Sequence, residues 1–342
     1  MTRRLVIDFD VGVLAWRIPR SSVRAIADAL GEGWEIVEVE PSAELGGGAA
    51  IATRQAVRAV RGAEIYLGYG VPAGVAAEGQ GTLRWAHSGT AGIGDSLPHL
   101  VGAGVVVTNS AAVHAEPIAD WVVAVVAHFA RGLDRMRAAQ SEARWARREF
   151  GEMRVPVREF RDLRMGVFGL GGIGSAVARR ALGLGMRVAG IRRRPERGGP
   201  EGVGWVGGPA ELSRLAATSD VLVIAAPETR ASTGAVSRGV LAELPDDAVV
   251  VNVARGSLLD EAALLDELNQ GRLRGAALDV FMAEPLPRDH PFWAHPRVIV
   301  SPHVSAVTTR FWERETGLIV ENIRRYLGGM RLLNVVDQEA GY

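Results

Sequence analysis

The sequence predicts an α/β protein built as two doubly wound parallel-sheet domains. Three observations lead there. Apolar runs of strand length alternate with stretches of helical spacing from the N-terminus onward, the pattern of strand–helix–strand crossovers. One such run, 165–168, ends in Gly169, Gly171 and Gly174, spaced Gly-x-Gly-x-x-Gly, and an alanine-rich helical stretch, 175–184, follows. The 342 residues exceed one ordinary domain and suit two.

In chain order, 5–9 reads as a first strand, 21–30 as a helix and 34–39 as a second strand. A Gly/Ala-rich patch, 46–50, precedes a helix ending near Arg61. Strands follow at 64–67, 83–87 and 105–108. Ligands in parallel sheets sit at the carboxyl ends of strands, so the loops 68–71 and 90–92 are candidate binding loops. One long helix is expected over 117–133, then a charged excursion, 134–159, with Trp145 among arginines and facing solvent or a partner. The glycine stretch opens a second sheet, with further strands at 186–191, 220–225, 248–253, 275–280 and 298–301, and a last helix at 309–327.

Composition excludes several functions. Basic and acidic residues number 39 each, so net charge draws the chain to neither nucleic acid nor an anionic membrane. There is no cysteine, hence no disulfide, thiolate metal site or thiol nucleophile, and no metal is expected. There is no lysine, which removes Schiff-base chemistry. The first ten residues are not a signal peptide, and the apolar stretch 121–130 falls far short of the roughly 20 residues of a membrane span. Cytoplasmic residence is the default expectation.

The glycines have separate tasks in a dinucleotide site: a sharp turn, close approach of a pyrophosphate, and tight packing of helix on strand. The helix N-terminus adds free N–H groups and partial positive charge. After the next strand, at the position about 20 residues on where an acid would bind ribose hydroxyls, stand Arg192, Arg193 and Arg194. A guanidinium suits a 2′-phosphate, so NADP is expected ahead of NAD; the alternative is a solvated arginine loop.

Three charged or titratable residues follow strands of the second half: Arg255, Glu284 and His303. Each has a structural alternative: Arg255 pairing with Asp260 or Glu261, Glu284 as surface, His303 as a buried core histidine. Together they suit hydride transfer to a 2-keto acid. Arg clamps a carboxylate, His supplies a proton near neutrality, and a carboxylate orients the imidazole.

The ordered motifs Gly169-Leu-Gly-Gly-Ile-Gly174, Val251-Asn-Val-Ala-Arg-Gly256, Ala277-Leu-Asp-Val-Phe281 with Glu284-Pro-Leu-Pro287, and Ser301-Pro-His303 are similar to those of the D-isomer-specific 2-hydroxyacid dehydrogenase family, which includes glyoxylate/hydroxypyruvate reductases. The resemblance implies a Rossmann cofactor domain, 111–308, inserted into a flavodoxin-like substrate domain, 1–110 and 309–342. It implies Arg255 on the substrate carboxylate and carbonyl, His303 as general acid/base and Glu284 tuning it. It further implies Gly172 and Ile173 on the pyrophosphate, Pro227 and Val253 lining the cofactor cleft, and Asp279 near the nicotinamide carboxamide. Backbone N–H groups of Ala91 and Gly92 would meet the substrate carboxylate, and a homodimer built through the cofactor domain is implied. Asp120-Trp121 departs from the Glu-His usual on the long helix. A rival from another class is a nicotinamide-sensing regulatory protein on the same fold.

Overall fold

The computed structural model describes residues 2–39, 53–93, 96–100 and 102–338; the Gly/Ala patch 46–50 lies outside them. Contacts divide the chain into two units, Met1–His114 with Val307–Tyr342, and Ala115–Ala306. Among the described residues no helix is long and apolar enough to cross a membrane.

The first unit is a five-stranded parallel sheet of β1 (Arg3–Asp8), β2 (Trp34–Glu38), β3 (Ile65–Gly68), β4 (Trp85–Ser88) and β5 (Val106–Asn109), ordered β2-β1-β3-β4-β5. That is the flavodoxin-like order. Its central strands are buried on both faces, and their side chains alternate between two cores. Val6, Tyr66, Ala86 and Val107 pack with Val60, Val75 and Leu100. Leu5, Ile7, Ile65, Leu67 and Trp85 pack instead with Ile26, Ile319 and Ile323. The last two belong to the final helix, Phe311–Leu327, which lies on this sheet beside the helix Arg20–Leu30. Each such fully buried aliphatic side chain contributes roughly 1.5–3 kcal/mol.

The second unit is a seven-stranded parallel sheet: β6 (Arg164–Phe168), β7 (Arg187–Ile191), β8 (Trp205–Gly207), β9 (Val221–Ile224), β10 (Val249–Asn252), β11 (Gly275–Leu278) and β12 (Val298–Val300). Its order is β12-β11-β10-β9-β6-β7-β8. Counted from β6, this is the Rossmann order with one strand added at the edge, and the order reverses between β6 and β9. Leu222, Ile224, Val250, Ala276 and Leu278 pack on Leu215, Leu241 and Leu264. Val221, Val223, Val249, Val251 and Ala277 face the opposite way, onto Val122, Val126, Phe129 and Val177.

The differences from expectation are local. The long helix runs Ala115–Ala130 and stops before Gly132, whose φ of +65° is a left-handed conformation a helix cannot continue through. β8, absent from the sequence reading, is a three-residue edge strand. The charged excursion holds two short helices, Leu133–Ser141 and Arg147–Gly151, with Trp145 89% exposed between them.

Candidate active site

All strands of the second unit run parallel, so the segments after β6, β10, β11 and β12 emerge at one end of the sheet. The glycine turn leaves β6 there. Gly169 has φ +108°, and a Cβ on it would lie 2.4 Å from the Ala226 nitrogen. A Cβ on Gly174 would lie 2.0 Å from the Gly169 carbonyl oxygen. A Cβ on Gly171 would meet nothing within 4 Å. The first and third glycines are therefore demanded by the protein's own packing, while the second faces open space. The helix Gly172–Gly183 begins at once, and Ser175 N–H to the Gly171 carbonyl at 2.9 Å is its first turn closed. The N–H groups of Gly172, Ile173 and Gly174 precede that bond and belong to the free amino end of the helix.

After β10, fully buried Asn252 folds the next turn on itself. Its amide accepts from Ala254 N–H at 3.0 Å and donates to the Arg255 carbonyl at 2.9 Å. Gly256 then presses on the turn that follows β11: a Cβ there would sit 1.9 Å from the Phe281 carbonyl carbon. That turn is clamped by two acids. Glu284 Oε1 accepts from Phe281 N–H at 3.0 Å, and Glu261 Oε1 accepts from Met282 N–H at 2.8 Å. The other oxygen of Glu284, Oε2, lies 2.8 Å from His303 Nδ1. The pair is half-open to solvent, with side-chain exposures of 46% for His303 and 27% for Glu284. Burial pushes the Glu284 carboxyl up. The His303 and Phe281 hydrogen bonds, with the charges of His303 and Arg255, outweigh that and hold it below the usual carboxylate range.

His303 sits at φ +56°, a left-handed conformation that costs a non-glycine residue roughly 1 kcal/mol or more. Asp279, 1% exposed, holds its loop in that shape. Asp279 Oδ1 accepts from Ser301 Oγ at 2.5 Å and Val304 N–H at 2.8 Å; Oδ2 accepts from Ser305 N–H at 3.1 Å and from the Ser305 hydroxyl. The guanidinium of Arg255 is half-buried and donates from Nη1 to the Ala254 carbonyl at 2.7 Å.

In the first unit the loop 88–92 has an unusual bonding pattern. Five successive carbonyl oxygens are taken. Ser88 O accepts from Ser110 Oγ at 2.9 Å, Gly89 O pairs with His114 Nε2 at 3.2 Å, and Thr90 O accepts from Ser110 N–H at 3.0 Å. Ala91 O accepts from Asn109 Nδ2 and Gly92 O from Thr90 Oγ1, each at 2.7 Å. The N–H groups of Ala91 and Gly92 bond to nothing among the described residues. Successive backbone N–H groups left without partners in a turn are of the kind that suits an anion.

The model of the D-isomer specific 2-hydroxyacid dehydrogenase NAD binding domain matches residues 123–305. The chain belongs to the D-isomer specific 2-hydroxyacid dehydrogenase family. Glyoxylate/hydroxypyruvate reductase A of Klebsiella pneumoniae subsp. pneumoniae is 37% identical over 225 residues, 65% of this chain and 68% of the relative. The protein of the same name from Photorhabdus laumondii is 34% identical over 223 residues, with the same shares. A D-isomer specific 2-hydroxyacid dehydrogenase from Xanthobacter autotrophicus Py2, solved in complex with NADPH and MES, matches with a TM-score of 0.80 at 30% identity, covering 100% of both chains. A probable 2-hydroxyacid dehydrogenase from Rhizobium etli CFN 42, in complex with NADP, HEPES and L(+)-tartaric acid, matches with a TM-score of 0.76 at 25% identity, covering 99% of this chain and 100% of that one.

In this dehydrogenase the remaining expected residues stand as follows. Arg192 is half-buried and braces its own loop, donating from Nη1 to the Gly198 carbonyl at 2.6 Å, while Arg193 and Arg194 are exposed. Pro227 is exposed after β9, and its carbonyl accepts from Ser232 Oγ at 2.6 Å. Val253 is buried in the core beneath the long helix. Asp120 pairs with Arg180 Nε at 2.7 Å, and Trp121 is half-buried beside it. Asp279, expected beside the nicotinamide, has both oxygens bonded to the His303 loop. Asn252, Gly256 and Ser301 stood in the sequence only as members of motifs and Glu261 only as an alternative partner of Arg255, while Ser305 was not singled out. Ser305, beyond the end of β12, had no local signal of its bond to Asp279.

Proposed function

We propose that this dehydrogenase is an NADPH-preferring reductase of a small 2-keto acid of the glyoxylate or hydroxypyruvate class. The observation that carries the reading is the His303–Glu284 pair at 2.8 Å, with the Arg255 charge acting on the same carboxylate. The names of the curated relatives support the substrate class, and the NADPH and NADP complexes of the structural relatives support the cofactor. The glycine turn fits a dinucleotide: Gly171 leaves room for a pyrophosphate, and the amino end of the helix Gly172–Gly183 offers N–H groups to it. The exposed Arg193, beside Arg192, suits a 2′-phosphate. Pro227 and Asp279 fit the cofactor cleft through their places after β9 and β11, and Val253 through its place after β10.

When bound, the reduced nicotinamide supplies a hydride to the carbonyl carbon of the substrate. Arg255 holds the substrate carboxylate and polarises the carbonyl through charge-assisted hydrogen bonds. The N–H groups of Ala91 and Gly92 hold the carboxylate as well. Glu284 accepts the His303 Nδ1–H, which fixes the ring's orientation and leaves Nε2 to face the substrate. His303 Nε2 then gives its proton to the oxygen as negative charge develops there, and takes it back in the reverse direction. The second unit is the dinucleotide-binding domain and the first the substrate domain. We assign the protein to the cytoplasm as a homodimer, for which the exposed Met136, Trp145 and Met153 of the excursion are a fitting surface.

Steady-state kinetics with both cofactors, followed by reduced-nicotinamide absorbance over a panel of 2-keto acids, test the reading. NADPH gives the higher kcat/KM; a higher value with NADH ends the cofactor assignment. His303→Ala abolishes turnover while NADPH still binds, and near-normal turnover removes His303 from its role. The intact Arg255, Glu284 and His303 set supports catalysis over the regulatory alternative.

A further inference from the structure

The first unit contains a polar cluster that this chemistry does not use. His87, Thr108, Ser110 and Glu315 are fully buried. His87 Nδ1 lies 2.8 Å from Thr108 Oγ1, and Nε2 lies 2.8 Å from Glu315 Oε1. Trp85 Nε1–H, which only donates, reaches Thr108 Oγ1 at 2.8 Å. The arrangement that satisfies all of them has the Thr108 hydroxyl donating to Nδ1 and the imidazole donating from Nε2 to Glu315. Ser110 Oγ lies 3.0 Å from Glu315 Oε1 and 2.9 Å from the Ser88 carbonyl oxygen, so its single proton is shared between the two acceptors.

This is not a hydrolytic triad. Ser110 and Glu315 both lie on the Nε2 side of the ring, with Ser110 Oγ 3.4 Å from Nε2, whereas nucleophile and acid must occupy opposite ring nitrogens. Nor is it a device for stability alone. A buried acid is expensive to desolvate, and apolar residues of the same volume serve a core as well or better. Glu315 Oε2 is buried with no hydrogen-bond partner among the described residues, so the acid is not fully compensated by them.

Where the cluster leads is informative. Ser110 takes two of the five carbonyls that shape the loop 88–92, Ser88 O through its hydroxyl and Thr90 O through its N–H at 3.0 Å. His87 is the residue before Ser88, whose own Oγ accepts from Gly70 N–H at 3.0 Å and bonds Thr90 Oγ1 at 2.8 Å. Glu315 thus anchors, through one imidazole and one hydroxyl, the strand end and the facing residue between which the loop is held.

We propose that Glu315 is a positioning residue for the substrate: through His87 and Ser110 it sets the loop so that the Ala91 and Gly92 N–H groups are presented to the substrate carboxylate. The inference rests on the reading of that loop given under the proposed function.

The experiment compares Glu315→Gln, Ser110→Ala and Gly92→Pro in the full chain, measuring KM for glyoxylate, kcat, the NADPH Kd and Tm. Glu315→Gln raises KM about tenfold, the effect of one misplaced charge-assisted hydrogen bond, with kcat and NADPH Kd within about twofold. Ser110→Ala moves KM in the same direction and decides the matter if Glu315→Gln does not fold. Lowered Tm with unchanged KM in the network variants overturns the inference. Gly92→Pro, which deletes one of the N–H groups, separates the two failures. If it alone raises KM, the loop reading stands and the Glu315 inference falls. If it leaves KM unchanged, the loop reading falls and takes the inference with it.

Discussion

Gly256→Ala adds one methyl group and tests how closely the site is held. The new Cβ would lie 1.9 Å from the Phe281 carbonyl carbon, 2.2 Å from the Met282 nitrogen and 2.3 Å from the Phe281 oxygen. Ordinary contact begins at 3.4 Å, so the two segments must separate by 3.4 − 1.9 = 1.5 Å. All three atoms are backbone, and no rotamer relieves the clash. The Phe281–Met282 turn is not free to retreat either, because Glu261, on the helix Glu261–Asn269, binds the Met282 N–H. The displacement therefore falls between Arg255, next to Gly256, and Glu284, which is bonded to the turn. Misplacement of reacting groups by about 1 Å lowers rates on the order of a hundredfold. We expect kcat/KM for glyoxylate to fall by about that factor and stability to fall by about 1–3 kcal/mol, the range for overpacking. The glycine turn at 169–174 is untouched, so NADPH Kd measured by fluorescence titration should hold within about twofold. A variant with wild-type kcat/KM would refute the reasoning, since the two turns would then be free to part without consequence. So would a collapse of NADPH affinity, which would make the perturbation global.

The glycine turn gives a contrasting pair: Gly171→Ala keeps Tm but weakens NADPH binding, whereas Gly174→Ala, with its Cβ 2.0 Å from the Gly169 oxygen, loses both. Equal Tm for the two variants by thermal melting would contradict the packing argument. Glu284→Gln should lower kcat about a hundredfold with NADPH affinity retained, and a near wild-type kcat would remove the acid from the reaction. Asp220, nearly buried between Arg158 and Arg164, titrates at about 2; burial pushes it up, but the two arginines and the Arg164 N–H outweigh that. Its folded pKa is depressed, so its contribution of about 2 kcal/mol is complete above the ordinary carboxylate pKa near 4 and is lost as pH falls toward 2. Urea unfolding at neutral pH and near pH 3 should therefore show Asp220→Asn less stable than the wild type at neutral pH and closer to it in acid; a constant difference would refute the assignment.

How much of this was legible follows from where the information lies. The strands of the second sheet announce themselves because a parallel strand is covered on both faces, so its run is apolar: Val221–Ile224 throughout, and Val249–Asn252 up to its terminal Asn252. β8 did not, being three residues at an edge, only partly covered and preceded by glycines. The helix after the glycine turn begins at Gly172, before the alanine pattern that marked it, because its start is fixed by the approach of Gly174 to Gly169 and not by any apolar period. The long helix was read past its end for the complementary reason. Leu133 continues the apolar pattern, but the left-handed Gly132 breaks the backbone first.

For the site, residue type was enough to nominate Arg255, Glu284 and His303, since few side chains bind carboxylates or exchange protons near neutrality. What shapes the segments around them is carried by residues remote in sequence, and by backbone groups that no residue type reports. Asp279 gathers N–H and hydroxyl groups from 301 to 305 and so maintains His303 in a conformation its own φ disfavours. In the other unit the polarity is reversed. Asn109, Ser110 and His114 gather carbonyl oxygens from 88 to 91. In each case a residue at or just beyond one strand's end engages the loop of the strand beside it, but the product differs with the sign of what is collected. An acid that binds N–H groups steadies the strained loop carrying His303. Donors that bind carbonyls leave the Ala91 and Gly92 N–H groups without a partner among the described residues. Ala91 and Gly92 have no side-chain chemistry for a sequence to display, and the role proposed for them rests wholly on that reversal.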